Sequence, residues 1–145
     1  MQIEICIDAA CLEPRVEVTA ASAEEAASLV RRLSEDGPPV LAGFLDGALA
    51  VLTPAEIIRV YTEGGKVFAV SPKGIYTLRL RLYEAEERLE REGFIRISNA
   101  ELVNLKKTVR FDLSLAGTIC VLLEDGTVSY ASRRFVPKIK KILGL

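Results

Sequence analysis

Asn99, in the run FIRISNAELVNLKKTVR (residues 94–110), and the Arg133-Arg134 pair, in YASRRFVPKIKKIL (residues 130–143), carry the most informative chemistry in this chain. A turn asparagine offers a donor and an acceptor together, enough to pair with the edge of adenine, and an arginine fork fits guanine O6 and N7. Neighbouring serine and lysine side chains suit phosphate oxygens. These groups work only when buried elements hold them. In the first run Phe94, Ile95 and Ile97 alternate with polar residues until Ser98-Asn99, a dipeptide that favours turns and helix caps over strand continuation. Leu102 and Val103 then resume the apolar character, which ends at Asn104 and the two lysines that follow. In the second run a strand-like Tyr130-Ala131 stops at Ser132, and the two arginines open an amphipathic helix.

Composition narrows the field. At 145 residues the chain can bury a core, with one domain and a small appendage as the natural count. Half of it is apolar, yet no apolar run approaches the roughly 18 residues that span a bilayer. No basic-then-apolar leader opens it, so a cytoplasmic location is expected. There is no histidine, which removes the commonest general base and any Ser-His-Asp or Cys-His site. No Gly-rich phosphate loop is present, because Gly64-Gly65-Lys66 is too short to count. Cys6, Cys11 and Cys120 lack further ligands for zinc and read as buried thiols. No cofactor, metal or enzymatic activity is expected.

Charge is unevenly spread. Residues 1–50 hold three basic side chains against nine acidic ones, whereas residues 93–145 hold nine basic against four acidic. A basic C-terminal third with an acidic N-terminal segment is the pattern of a nucleic-acid face plus an accessory piece.

The elements follow from periodicity. Ile3, Ile5 and Ile7 alternate with polar residues over Met1–Asp8, and Val16 and Val18 do so over Arg15–Thr19, predicting two strands. Ser22 and Glu25 form a capping box for a helix that runs to about Glu35 and ends at Gly37-Pro38-Pro39. From Val40 the chain is β-rich. Strands are predicted at 41–45 and 48–52 around Asp46-Gly47, at 57–61, at 66–70 after Glu63-Gly64-Gly65, and at 75–78 after Pro72-Lys73-Gly74. Leu78, Leu82, Ala85 and Leu89 recur at helical spacing up to Gly93. Paired strands at 108–113 and 118–123 surround Ser114–Gly117, Asp125-Gly126 turns into a strand at 128–131, and a final helix carries Phe135, Val136, Ile139, Ile142 and Leu143 on one stripe. Pro137 is tolerated because it falls in the first turn.

FIRIS-x-x-x-x-VNL at residues 94–105, Leu115-Ala116-Gly117-Thr118, Asp125-Gly126 and SRRFV at 132–136, in this order, resemble the LytTR family of bacterial DNA-binding domains. The resemblance covers about residues 40–145. It implies a mainly β protein with short helices (α+β), a LytTR-like antiparallel β-sandwich that presents loops to DNA, here with an N-terminal strand-strand-helix extension over residues 1–39. It also implies base contacts at three places: Arg134, Asn99 and Lys66. Asn99 serves either as a base reader or as a helix cap, and Ser98 as a phosphate contact or a cap of the same turn. Arg133 is a phosphate contact or a structural partner. Arg96, Lys73, Lys106 and Lys138 are expected on the phosphate backbone, and Asn104 in its own turn.

The resemblance therefore points to a sequence-specific transcriptional regulator acting on double-stranded promoter DNA. About forty residues precede the matching region, too few for a receiver domain, so the chain is similar to compact LytTR regulators often encoded beside a small membrane protein. That implies a second reading, in which the acidic arm binds a regulatory partner such as a small membrane protein; the arm's own apolar face is expected to rest either on its own domain or on a second copy of the chain. RNA binding on a β surface would instead need several exposed aromatics on one sheet.

Overall fold

The computed structural model describes residues 1–33, 40–114 and 117–145. The helix break expected at Gly37-Pro38-Pro39 and the Leu115-Ala116 part of the second turn lie outside these residues. The N-terminal segment departs from expectation. Neither Met1–Asp8 nor Arg15–Thr19 joins a sheet, and Ile3, Ile5 and Ile7 stand 74%, 81% and 94% exposed. Alternation supplies an apolar edge, but a strand also needs a neighbour to hydrogen-bond. With the segment unpaired, Cys6 and Cys11 are exposed and only Cys120 is partly covered, which corrects the reading of all three as buried thiols. The helix that follows does form. In α1 (Ala23–Leu33) the Ser22 hydroxyl accepts the Glu25 amide at 3.2 Å.

A seven-stranded antiparallel sheet dominates the fold. Its strands are β1 (Leu41–Leu45), β2 (Ala48–Leu52), β3 (Arg59–Glu63), β4 (Lys66–Ser71), β5 (Gly74–Leu78), β6 (Phe94–Ser98) and β7 (Glu101–Asn104), in the order β2-β1-β5-β4-β3-β7-β6. Asp46-Gly47 and Gly64-Gly65 make two of its two-residue turns, with φ of 50° and 78° and of 57° and 76°. Positive φ at both positions matches the strand twist, which is why glycine-rich pairs stand there. A smaller antiparallel sheet joins β8 (Thr108–Asp112), β9 (Ile119–Leu123) and β10 (Val128–Ala131) in the order β10-β9-β8.

Two cores lie on opposite sides of β6 and β7. Leu82, Ala85 and Leu89 of α2 (Leu82–Leu89) pack on one face of the large sheet with Val60, Ala69, Phe94 and Leu102. Ile95, Ile97 and Val103 face the other way and meet Ile119, Val121 and Leu123 of the small sheet, closed by Ile139 of α3 (Val136–Ile142). The β6–β7 hairpin is thus the middle layer, so successive residues such as Leu102 and Val103 are both fully buried. The helical periodicity that seemed to start at Leu78 starts at Leu82, because Leu78 belongs to β5.

Asn104 anchors this layer. Its side chain is 1% exposed; Nδ2 donates to the carbonyls of Ile57 (2.9 Å) and Pro54 (3.4 Å), while Oδ1 accepts the Lys106 amide (3.0 Å). It stabilises its own turn, as the sequence predicted, and also ties that turn to the 3-10 turn at Pro54–Glu56.

Candidate nucleic-acid interface

Strand register brings the three candidate reading positions to one end of the molecule. β3 runs into the Gly64-Gly65 turn, and β7, antiparallel to it, leaves the Asn99-Ala100 turn, with Tyr61 opposite Glu101 and the Thr62 amide donating to the Ala100 carbonyl at 2.9 Å. Both turns therefore protrude from the same end of the sheet. Two strand spacings separate the hairpins, roughly 10 Å, comparable with a major groove about 12 Å wide. The third place arrives from the small sheet. Ser132, just after β10, donates its amide to the Ile97 carbonyl at 2.9 Å, so Arg133 and Arg134 emerge beside the top of β6.

Lys66, Asn99, Arg133, Arg134 and Lys138 are all exposed, and Ser98 is half-buried. Asn99 sits at the tip of a β hairpin and caps no helix, which removes its alternative reading. The Ser98 hydroxyl accepts the Ala100 amide at 3.1 Å, so it braces that tip. Arg134 lies 5.6 Å from the centre of the Phe135 ring. Arg133 packs against Gly117, where a side chain would come within 3.0 Å of its Nε. Lys138 lies on α3 with Lys140 and Lys141. Lys73, in the β4–β5 turn at the opposite end of the sheet, pairs with Glu56 at 3.6 Å. The Lys106 side chain is exposed, in a 3-10 turn after β7.

Arg96 is held inside the protein. Nε donates to the Ser98 carbonyl (2.9 Å), Nη2 to the Asn99 carbonyl (2.8 Å) and Nη1 to the Glu86 carboxylate of α2 (3.1 Å), with the side chain 18% exposed. On the other arm of the hairpin, Glu101 accepts from Arg59 (3.1 Å) and from Ser129 of β10 (2.9 Å), joining the two sheets. Sequence reasoning also passed over Arg79 and Arg81, which border a cleft with Lys66 at this end. The signal was available in the alternation LRLRL at residues 78–82 but was absorbed into the helix. Arg79 pairs with Glu24 of α1 at 3.2 Å, which brings the acidic arm to the same end.

Among the described residues the two well-exposed aromatic rings, Tyr83 and Tyr130, lie on separate elements, α2 and β10, and share no stacking platform. Phe44, Phe68 and Tyr61 lie in one cross-strand row on the face of the large sheet away from α2, but all three are half-buried. The guanidinium groups of Arg79 and Arg59 cover Phe44 and Tyr61 at 4.2 and 4.4 Å.

Comparisons with known proteins identify the family and the fold. Residues 47–144 match the LytTr DNA-binding domain family. The full chain aligns at 29% identity with an uncharacterized HTH-type transcriptional regulator of Staphylococcus aureus (strain MRSA252) and at 28% with one of strain MSSA476, covering 99% of each relative. Despite that name, no two α-helices follow one another among the described residues. The fold is also similar to the LytTr DNA-binding domain of a Bacillus cereus protein described as a methyl-accepting/DNA response regulator. The TM-score is 0.70 at 17% identity, over 74% of this chain and 98% of that one. No helix among the described residues is long and apolar enough to cross a membrane. On the family match over two thirds of its length, with the fold in agreement, this chain belongs to the LytTr DNA-binding domain family.

Proposed function

We propose that the chain is a transcriptional regulator that reads promoter DNA sequence-specifically through three loops at one end of its β fold. Arg134 reads guanine, Asn99 pairs with adenine, and Lys66 contacts a third point on the duplex. Ser98, Arg133 and Lys138 supply phosphate contacts that set the register without reading sequence; Lys106, past the far end of β7, lies at the opposite end of the sheet with Lys73. The observation that carries this is the convergence of the β3–β4 turn, the β6–β7 turn and the 3-10 turn Arg133–Phe135 that leads into α3, three places far apart in the chain.

Fluorescence anisotropy tests it, with DNA from upstream of the chain's own gene against a shuffled duplex across a salt series. The native duplex should bind tighter, and Arg134→Ala should cost about 1–3 kcal/mol on it and much less on the shuffled one. Lys138→Ala should weaken both duplexes alike and lower the salt slope by about one. Equal, weak binding of both duplexes by the wild type would sink the proposal.

The exposed isoleucines of residues 1–8 favour a second role for the N-terminal arm, residues 1–39, as a docking segment apart from the DNA-binding domain at 40–145. Its occupant is a second copy or a regulatory protein, with a small membrane protein among the candidates. Sedimentation of the full chain and of a chain lacking residues 1–38 distinguishes a homodimer from a hetero-partner.

A further inference from the structure

Phosphate-contacting arginines keep their guanidinium groups in solvent, whereas the Arg96 guanidinium is spent on the protein. It grips two successive carbonyls of the Asn99 turn, Ser98 and Asn99, and anchors that grip on Glu86 of α2. Its fourth neighbour is the Phe135 ring, 6.0 Å away, which also has Arg134 at 5.6 Å. One side chain therefore touches the loop that presents Asn99 and the ring beside Arg134. The planar fork is needed for this, because a lysine ammonium is a point charge that cannot bridge two carbonyls and a carboxylate in fixed directions.

We infer that Arg96 is a positioning residue that sets the specificity of DNA reading by holding the Asn99 turn in place, and that it does not contact phosphate. The inference rests on the proposed DNA reading. Its energetic logic is pre-organisation. A turn already fixed in its bound shape loses less freedom when it meets a base edge, and that advantage is realised only on the cognate sequence. Loss of the clamp should therefore reduce discrimination while leaving sequence-independent attraction alone. The Glu86 carboxylate makes the same point from the other side, since its charge next to Arg96 would oppose a phosphate.

Two measurements on the full chain test this. The first uses a duplex enriched by the wild-type protein from a random-sequence pool, compared with its shuffled counterpart. Arg96→Lys should lower the ratio of the two affinities on the order of tenfold, with the shuffled affinity and the salt slope unchanged. Glu86→Gln, which keeps the arginine but frees its anchor, should act in the same direction more weakly. The second is amide exchange in the free protein. The Ala100 and Thr62 amides, bonded to the Ser98 hydroxyl and the Ala100 carbonyl, should exchange faster in Arg96→Lys while those of β9 keep their rates. If Arg96→Lys matches the wild type in both assays, or if Arg96→Ala merely lowers the salt slope by about one, the inference is overturned. Failure to enrich any duplex would remove the DNA reading, and amide exchange would still decide whether the clamp exists.

Discussion

Two segments of this protein share a strand-like alternation and meet opposite fates. QIEICID at residues 2–8 places three isoleucines on one edge and leaves them in solvent, while FIRIS at residues 94–98 becomes β6, with Ile95 and Ile97 buried. The difference lies in what surrounds them. β6 has β7 as a ladder partner, α2 beneath it and the small sheet above it, so backbone bonds and apolar burial come together. Residues 2–8 have the side-chain pattern without a neighbouring strand, and the ordering cost of an isolated strand then goes unopposed. Alternation reports an available apolar edge; pairing decides whether it becomes a strand.

Mutations at matched positions can break that comparison. Ile97→Ala should cost about 2–5 kcal/mol in urea unfolding, because Ile97 is fully buried between β6 and the small sheet. Asn104→Ala comes next, at about 1–3 kcal/mol, since it takes the side-chain partner from the Ile57 carbonyl and the Lys106 amide. Ile5→Ser should change stability by less than about 0.5 kcal/mol. A loss at Ile5 as large as that at Ile97 would show that the N-terminal segment is docked in solution, and the contrast between the two segments would fall. A loss that appears only at high protein concentration would sharpen it instead, by identifying a second copy as the missing neighbour.

Much of the domain from residue 40 onward was legible beforehand, for identifiable reasons. Asp46-Gly47, Gly64-Gly65 and Asp125-Gly126 announce turns through backbone conformations that few other residues adopt comfortably. Leu82, Ala85 and Leu89 announce one buried helix face. Asn99 and Arg134 stood out because each follows an apolar run that stops abruptly. Arg96 was legible as a cation and illegible as a clamp, because its partners are two carbonyls and a carboxylate on another element. Arg79 was missed for the same kind of reason. Its neighbours, Glu24 and Phe44, are distant in sequence.

Local chemistry thus settled, from the amino-acid order alone, the turns, most strands from residue 40 on, the helix faces, the uneven charge and the motif set that marks the family. Those features depend on interactions within a few residues. Three-dimensional packing was required for everything that joins distant parts: the double burial of β6 and β7, the failure of the N-terminal alternation to become a strand, the gathering of residues 66, 99 and 134 at one sheet end, and the inward use of Arg96. Each depends on which strand lies beside which, and strand register is a property of the whole sheet.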